Sequence, residues 1–503
     1  MSSVMTIRPD AVLIARNPAT GAELGRVPAT PPDQVAELVA RARRAQVAWW
    51  AAGWRARRAV LERWWRLLSR EADAWADLIR SEIGKPRIEA MGGDVLSTLD
   101  AIRWTVRHGG SALAQRRIGP GWQRWLLMPG GLIGWVPYGV VGMLGTWNYP
   151  LFLNAPPIAQ ALAAGNAVVW KASELAPLCG RMLEQSLNEA GFPEGLATVL
   201  YGGPEVGRAL VESDLGKAMF TGGVDNGRHV LAALGRRGIP AVAELSGFDP
   251  AIVLPDAPRD STVRALTWGA FVGCGQTCVA VKRVYVVGDP APWAEAIATA
   301  ARALRVGDPS SDGIDVGPMI SAGACQRFHG MIQAAVEAGG VLLAGGAPLP
   351  GPGSFYPPTV LRAESVDPED ALAGAFGPAV VIRGVADPQA AVAAANRGAF
   401  ALAASVWGRD PAGTRTVAGK LQAGMVCIND AVTPTAHASA PFGGVKASGF
   451  GRTKGLLGLR EFAQAQVLFP RRPGGFRPQL FPYTATVLRR GFAVYRRFFH
   501  PRD

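Results

Sequence analysis

Cysteine is scarce in this chain: five among 503 residues, at positions 179, 274, 278, 325 and 427. An odd, scattered set excludes a disulfide framework and points to a reducing, cytoplasmic setting. Cys274 and Cys278 stand four apart, but no histidine or further cysteine lies near enough to complete a zinc site, so no metal is expected. A secretory leader is not expected either: the apolar run Ala11 to Ala15, with Arg8, Asp10 and Arg16 around it, is too short for a signal-peptide core. Charge is absent from Trp125 to Trp170, a stretch long enough to span a bilayer. Pro129, Pro137, Pro150, Pro156 and Pro157 interrupt it, which argues for buried strands and a core helix instead of a spanning helix.

The net charge of +13 is unevenly placed. Between Arg471 and Asp503 eight arginines against one aspartate leave +7, so the basic balance belongs largely to this tail and does not indicate a nucleic-acid groove. At this length two or three domains are expected.

Asn17-Pro18-Ala19-Thr20-Gly21 reads as a turn between two short strands. Thr30 reads as the N-cap of a helix with Pro31 at its first position, and helical periodicity continues to Gly84-Lys85-Pro86. Trp54, Trp64, Trp65 and Trp75 on these helices read as packing surface. Two apolar runs around Pro129-Gly130-Gly131, between Arg124 and Val136, predict a hairpin arm of the kind that serves oligomer contacts.

From Gly139 the pattern becomes strand, turn, helix, repeated. Val140 to Leu144, Ala167 to Trp170, Leu196 to Tyr201 and Ala218 to Phe220 are apolar strands, followed by turns that carry Asn148, Lys171, Gly203 with Gly207, and Gly222 with Gly223. Such turns hold phosphate with backbone N–H groups and a helix N-terminus. Asn148 lies at a strand end, where open α/β sheets bind ligands. Ala241 to Glu244 puts a carboxylate at the end of another strand, where a raised pKa suits a general base and a salt bridge is the plainer alternative. Cys278 closes the uncharged segment Phe271 to Cys278; by itself it reads as a small buried hydrophobe, and as a nucleophile only if its surroundings favour the thiolate.

Together these pieces resemble the NAD(P)-dependent aldehyde dehydrogenase superfamily, from about Asn17 to Phe469. The motifs that carry the resemblance are Thr146-Trp147-Asn148-Tyr149-Pro150, Lys171-Ala172-Ser173-Glu174, Phe220-Thr221-Gly222-Gly223, Glu244-Leu245-Ser246-Gly247, Gly275-Gln276-Thr277-Cys278, Phe376-Gly377-Pro378 and Pro441-Phe442-Gly443-Gly444. The resemblance implies Cys278 as nucleophile, Asn148 as oxyanion donor and Glu244 as water base. It implies cofactor contacts from Thr146, Trp147, Lys171, Ser173, Glu174, Gly203, Gly207, Phe220, Thr221, Gly222, Gly223, Leu245 and Phe376. Glu174 would repel a 2′-phosphate, which favours NAD, with NADP the alternative. Tyr149, Phe152, Leu153, Pro156, Val272, Thr277 and Val279 match the substrate tunnel. No Arg or Lys stands among them, which favours an apolar aldehyde, aliphatic, aromatic or terpenoid.

Three departures from the family pattern stand at four positions: Gly374 where a ribose-binding Glu is usual, Ser246 with Phe248 in place of Gly and Lys, and Gly273 in place of Asn. Competing readings are a CoA-acylating enzyme, against which Glu244 argues, and a non-catalytic protein that binds a membrane or partner through its tail.

The expected fold is α/β and aldehyde-dehydrogenase-like: a Rossmann-type cofactor domain over 1–122 and 137–246, an α/β catalytic domain over 247–446, a small β oligomerisation arm from 123–136 and 464–470, a return to the cofactor domain over 447–463, and a basic tail over 471–503. The resemblance implies a homodimer or homotetramer. In the tail, Leu488, Phe492, Tyr495 and Phe499 form a helix stripe flanked by Arg489, Arg490, Arg496 and Arg497, suited to an anionic membrane surface or to a neighbouring subunit.

Overall fold

The computed structural model describes residues 12–126, 128–471, 473, 474, 477 and 480–500. Arg8, Asp10, Ala11, Arg472, Arg502 and Asp503 lie outside the described residues. Short apolar runs bounded by glycine turns form the strands of two main sheets, because such runs bury both faces of a parallel ladder. The first sheet has the strand order Gly449–Phe450, Ala241–Glu244, Lys217–Thr221, Val140–Leu144, Ala167–Lys171, Ala197–Leu200. Its strands pair in parallel except at the edge, where Gly449 lies antiparallel opposite Glu244. Successive strands step to one side of Val140–Leu144 and then resume on its other side at Lys217–Thr221. Open sheets bind ligands beyond the C-terminal ends of the strands at such a reversal.

The second sheet runs Val341–Ala344, Thr359–Ala363, Ala379–Val385, Val281–Val287, Asp249–Val253, Ala403–Trp407, Met425–Ile428, with Val341–Ala344 antiparallel at its edge and the rest parallel. Each sheet has its own core. Trp64, Trp75, Leu61 and Ile79 close the first, and Phe271, Tyr356 and Phe328 the second. A small antiparallel sheet joins Arg116–Ile118, Gly131–Pro137 and Ala463–Leu468.

The turn at Asn17 forms as its sequence requires: Asn17 Oδ1 accepts from the Ala19 amide at 2.8 Å, and Gly21 takes φ +75°. Trp54 packs over Gly109 and Gly110, in keeping with the packing role expected of the tryptophans.

Two local expectations are corrected. Thr30 caps no helix: its hydroxyl accepts from the Tyr201 amide at 3.0 Å, tying it to the end of Ala197–Leu200, and the helical backbone begins with the 3-10 turn Pro32–Gln34 before Val35–Ala51. The arm hairpin is also displaced. Gly121–Leu126 is a 3-10 turn, and the strand facing Gly131–Pro137 is Arg116–Ile118. Gly119-Pro120-Gly121 ends that strand before the apolar run expected to form it.

The tail forms the helix Ala485–Phe498, whose Thr484 hydroxyl accepts from the Val487 amide at 3.3 Å; it runs through Gly491 unbroken. Leu488, Phe492, Tyr495 and Phe499 are 50% to 60% exposed. The helix touches the body where Phe499 meets Trp122, centroids 6.2 Å apart, and where Arg124 lies over the Phe498 ring. No helix of the described residues is long and apolar enough to cross a membrane.

Candidate active site

A cavity of about 630 Å³ opens where the two sheets meet, and Cys278, Glu244 and Asn148 all line it. Cys278 reaches it from an irregular loop between the helix Arg259–Phe271 and the strand Val281–Val287. Gly273, Cys274 and Gly275 take φ of +63°, +56° and +63°, so the loop turns left-handed three times in succession. A non-glycine residue held this way costs about 1 kcal/mol or more, which the surroundings must offset. Lys282 supplies part of that, donating to the carbonyls of Gly275 at 2.8 Å and Gly377 at 2.5 Å. Gln276 adds to it by accepting from the Ile320 amide at 2.9 Å through Oε1. A Cβ on Gly275 would come within 2.3 Å of the Gly377 carbonyl oxygen, so only glycine fits there. Gly273, the departure from the family's Asn, fills a left-handed position that both residue types tolerate.

Burial pushes the Cys278 thiol up to about 12, Asp249 and Glu244 push in the same direction, and the backbone N–H groups of Val279 and Cys278 oppose them. Ionisation of this thiol therefore depends on groups that compensate its charge.

Asn148 is buried, with its Oδ1 accepting from Thr146 Oγ1 at 2.9 Å and its Nδ2 donating to the Gln276 carbonyl at 3.0 Å. These bonds set which way the amide faces and bring its nitrogen beside the backbone two residues before the thiol. An Asn amide has two N–H donors, so one stays available to an oxygen in the cavity. Glu244 ends its strand buried, and neither carboxylate oxygen has a hydrogen-bond partner among the described residues. The salt-bridge alternative for this residue is thereby set aside. Burial drives its pKa well up, Arg452 and Lys454 pull it down, and Glu461 opposes them. Gly247 lets the chain after Glu244 pass Cys278 closely: a Cβ there would lie 2.1 Å from the Cys278 carbonyl oxygen.

Thr146, Trp147, Thr221, Gly222, Gly223, Leu245 and Phe376 line the same cavity. Trp147 and Phe376 meet edge to face, centroids 5.7 Å apart. Gly223 is the N-cap of the helix Val224–Arg236, and a Cβ there would meet nothing within 4 Å, so the helix N-terminus is open to a phosphate group. The residues present therefore fit a dinucleotide lying across the reversal of the first sheet.

Lys171, Ser173, Glu174, Gly203, Gly207 and Phe220 stand off the cavity wall, along or behind the same strand-end edge. Lys171 Nζ pairs with Glu174 at 2.6 Å, Ser173 Oγ accepts from the Leu175 amide at 3.3 Å, and Gly203 opens the helix Pro204–Glu212. Gly207 sits against Leu144, and Phe220 backs Gly222 and Gly227. Gly374 lines the cavity at φ +81°, a backbone that favours glycine, and presents no carboxylate.

Tyr149, Phe152, Leu153, Pro156, Val272, Thr277 and Val279 all line the cavity. Tyr149 Oη and Thr277 Oγ1 are hydrogen-bonded at 2.8 Å, and Thr277 donates to the Val272 carbonyl at 3.1 Å. A buried ion pair organises this wall. Lys85 Nζ lies 2.6 Å from Asp94 and 3.2 Å from the Tyr149 ring centroid, while Asp94 Oδ1 accepts from the Leu151 and Phe152 amides at 3.3 Å each.

Among the wall residues that escaped the sequence reading are Glu89, Trp268 and Lys454. Glu89 Oε2 accepts from the Gly273 amide at 3.0 Å, and burial pushes its carboxyl up to about 7. Lys454 corrects the expectation that no cation faces the tunnel. Nothing in its local sequence signalled this, because it stands ten residues past the last motif and only the fold brings it to the thiol.

The aldehyde dehydrogenase family profile matches residues 9–468, leaving the tail beyond it. The succinate-semialdehyde dehydrogenase of Paenarthrobacter nicotinovorans is 34% identical, with 88% of this chain and 97% of that protein covered. The 4,4′-diapolycopene aldehyde oxidase of a Methylomonas species is 33% identical over 94% of this chain and 89% of that one. Among solved structures, a Mycobacterium tuberculosis aldehyde dehydrogenase complexed with NAD+ superposes with a TM-score of 0.88 at 28% identity, covering 94% of this chain and 97% of its own. With the parallel sheets, the cavity and its thiol in place, the chain belongs to the aldehyde dehydrogenase family and is an NAD(P)-dependent enzyme of it.

Proposed function

We propose that the chain oxidises an apolar aldehyde to its carboxylic acid with NAD, through a thiohemiacetal and a thioester on Cys278. The observation that carries this reading is the convergence of Cys278, Asn148 and Glu244 on one cavity whose remaining wall is mostly apolar. The Cys278 thiolate forms the S–C bond to the carbonyl carbon as the carbonyl electron pair moves to oxygen. The Asn148 amide and the Cys278 backbone N–H receive that oxyanion. Bound nicotinamide supplies the hydride acceptor for the aldehyde's C–H electron pair. Glu244 then takes a proton from water as its oxygen bonds the thioester carbon, and the C–S bond breaks to return the Cys278 thiolate.

Two further features support the choice of substrate and cofactor. Phe152, Leu153, Val272 and Val279 offer an aldehyde chain apolar contact, and one relative is named a 4,4′-diapolycopene aldehyde oxidase. Glu174 stands at the strand-end edge where a 2′-phosphate would meet its charge, which favours NAD. On this reading the unit built on the first sheet, with strands from Val140 to Glu244 and the edge strand Gly449–Phe450, holds the cofactor. Residues 247–446 carry the nucleophile, and the small sheet with 123–136 and 464–470 joins subunits of a homo-oligomer.

The test is purified full chain with NAD or NADP and aldehydes from short semialdehyde acids to long apolar chains, followed by NADH or NADPH absorbance. The expected result is turnover that rises with apolar chain length and prefers NAD. Turnover confined to semialdehyde acids overturns the substrate reading, and turnover only with added CoA overturns the hydrolytic one.

A further inference from the structure

Lys454 occupies a position that a lysine does not adopt by default. Its backbone is left-handed at φ +60°, and its side chain belongs to a residue only 5% exposed. Three bonds hold it: its amide donates to Gln160 Oε1 at 3.2 Å, its ammonium donates to the Thr435 carbonyl, and its own carbonyl accepts from the Gly458 amide at 2.9 Å. Nζ lies 5.1 Å from the Phe152 ring centroid and 5.0 Å from that of Phe442. The residue lines the cavity together with Cys278 and Glu244.

The charges around the thiol show what this cation does there. On the negative side stand Glu244, with both oxygens unpartnered among the described residues, and buried Asp249. Glu461 is drawn off to Lys217, 2.9 Å away. Of the neighbouring cations, Lys282 donates to the Gly275 and Gly377 carbonyls, Arg283 to those of Phe248 and Ala395, and Arg452 to those of Gly444 and Gly451, and unlike Lys454 none of the three lines the cavity. A thiolate formed beside two carboxylates in a largely buried site is costly unless a positive charge faces it. Glu244 and Cys278 are the two charges that act on Lys454, each raising the pKa that burial lowers to about 8.

We propose that Lys454 is a positioning residue for the cysteine chemistry, its ammonium supplying the positive charge that Cys278 and Glu244 share across the cavity. The proposal rests on the reading of Cys278 as nucleophile. It places in this chain a fixed cation at the thiol, set by a strained backbone and a carbonyl anchor.

The test reads the thiol directly, without turnover. Full-length wild type and the variants K454M, K454Q and K454R are alkylated with iodoacetamide from neutral to alkaline pH, and modification of Cys278 is followed by mass spectrometry. Neutralising the residue in K454M and K454Q is expected to slow alkylation at neutral pH about tenfold for each pKa unit the thiol gains. The midpoint moves to higher pH, and K454R returns both toward wild type. Identical midpoints in all four proteins overturn the proposal, as does K454R behaving like K454Q, which would mark a role of shape alone. If K454M loses its cooperative melt, the comparison of K454Q with K454R decides; if every substitution unfolds the chain, Lys454 is a packing residue and the proposal falls. A charge-dependent profile in a protein that oxidises no aldehyde would sink the function reading and leave this one standing.

Discussion

The two sheets bring their functional groups to the shared cavity by different means. In the first, the residues that matter follow the C-terminal ends of parallel strands: Asn148 after Val140–Leu144, Gly222 and Gly223 after Lys217–Thr221, Glu244 as the last residue of its own strand. The second sheet presents its thiol ahead of a strand, on a loop with three consecutive left-handed residues pinned by Lys282. A strand end is a position that the topology of any open α/β sheet provides. A strained loop must be held by specific partners, so the second sheet bears the larger structural cost for its one functional group.

The sharpest way to break this contrast is Cys278→Ala, expected to lower NADH formation on the order of 10^4-fold or more. Retained turnover in an absorbance assay would show that the loop is not where the chemistry happens. Next is Glu244→Gln. Steady-state turnover should fall about 10^2- to 10^4-fold while a rapid first release of NADH, stoichiometric with the chain, survives in stopped-flow traces. A lost burst would place Glu244 before the thioester and dissolve the division of labour between the sheets.

The same variant carries a stability signature. Burial raises the folded pKa of Glu244 above its ordinary 4.5, so its contribution to stability is full below that pH and is lost as pH rises toward the folded value. Glutamine does not titrate. The melting temperature of Glu244→Gln should therefore rise relative to wild type between acid and neutral pH, and a constant difference would show that Glu244 is not desolvated.

A paired substitution compares the sheets directly. Gly275→Ala meets both a left-handed φ and a carbonyl at 2.3 Å, so a loss of about 3 kcal/mol or more in denaturant unfolding is expected. Gly223→Ala, with open space and an ordinary φ, should cost under about 2 kcal/mol, the scale of an N-cap change. Equal losses would show that the strand-end turn is held as tightly as the thiol loop.

The smallest effect is expected from the tail. Removing residues 471–503 should leave kcat within about twofold but reduce co-sedimentation with anionic vesicles, since the helix Ala485–Phe498 exposes Leu488, Phe492 and Tyr495 with arginines alongside. Equal vesicle binding by both forms would remove the membrane role and leave contact with a neighbouring subunit as the use of this face.

Much of the site could be read before any fold was known, because Asn148, Glu244 and Cys278 each stand in a short motif and each lies next to an element that local apolar pattern identifies. The tail helix was legible for the same reason, and Gly491 did not break it. Thr30 was misplaced because capping chemistry is local while its actual partner, Tyr201, is 171 positions away. The arm strand was misplaced because an apolar run beside a Pro-Gly-Gly turn reads as a strand whether or not a Gly-Pro-Gly break stands just before it. The buried Lys85–Asp94 pair behind Tyr149 and Lys454 on the cavity wall went unread, since a charged side chain reads as solvated until its neighbours are known.

The sequence by itself determined the family, most of the order of strands and turns, and which three residues are proposed to react, since these depend on short-range pattern and on residue types the chemistry cannot replace. Only the tertiary structure decided what surrounds the thiol: which carboxylates lie near it, which cations stand behind the cavity wall, and that Lys454 lines the same cavity. Those are properties of burial and distance, and they exist only once segments more than a hundred residues apart are packed together.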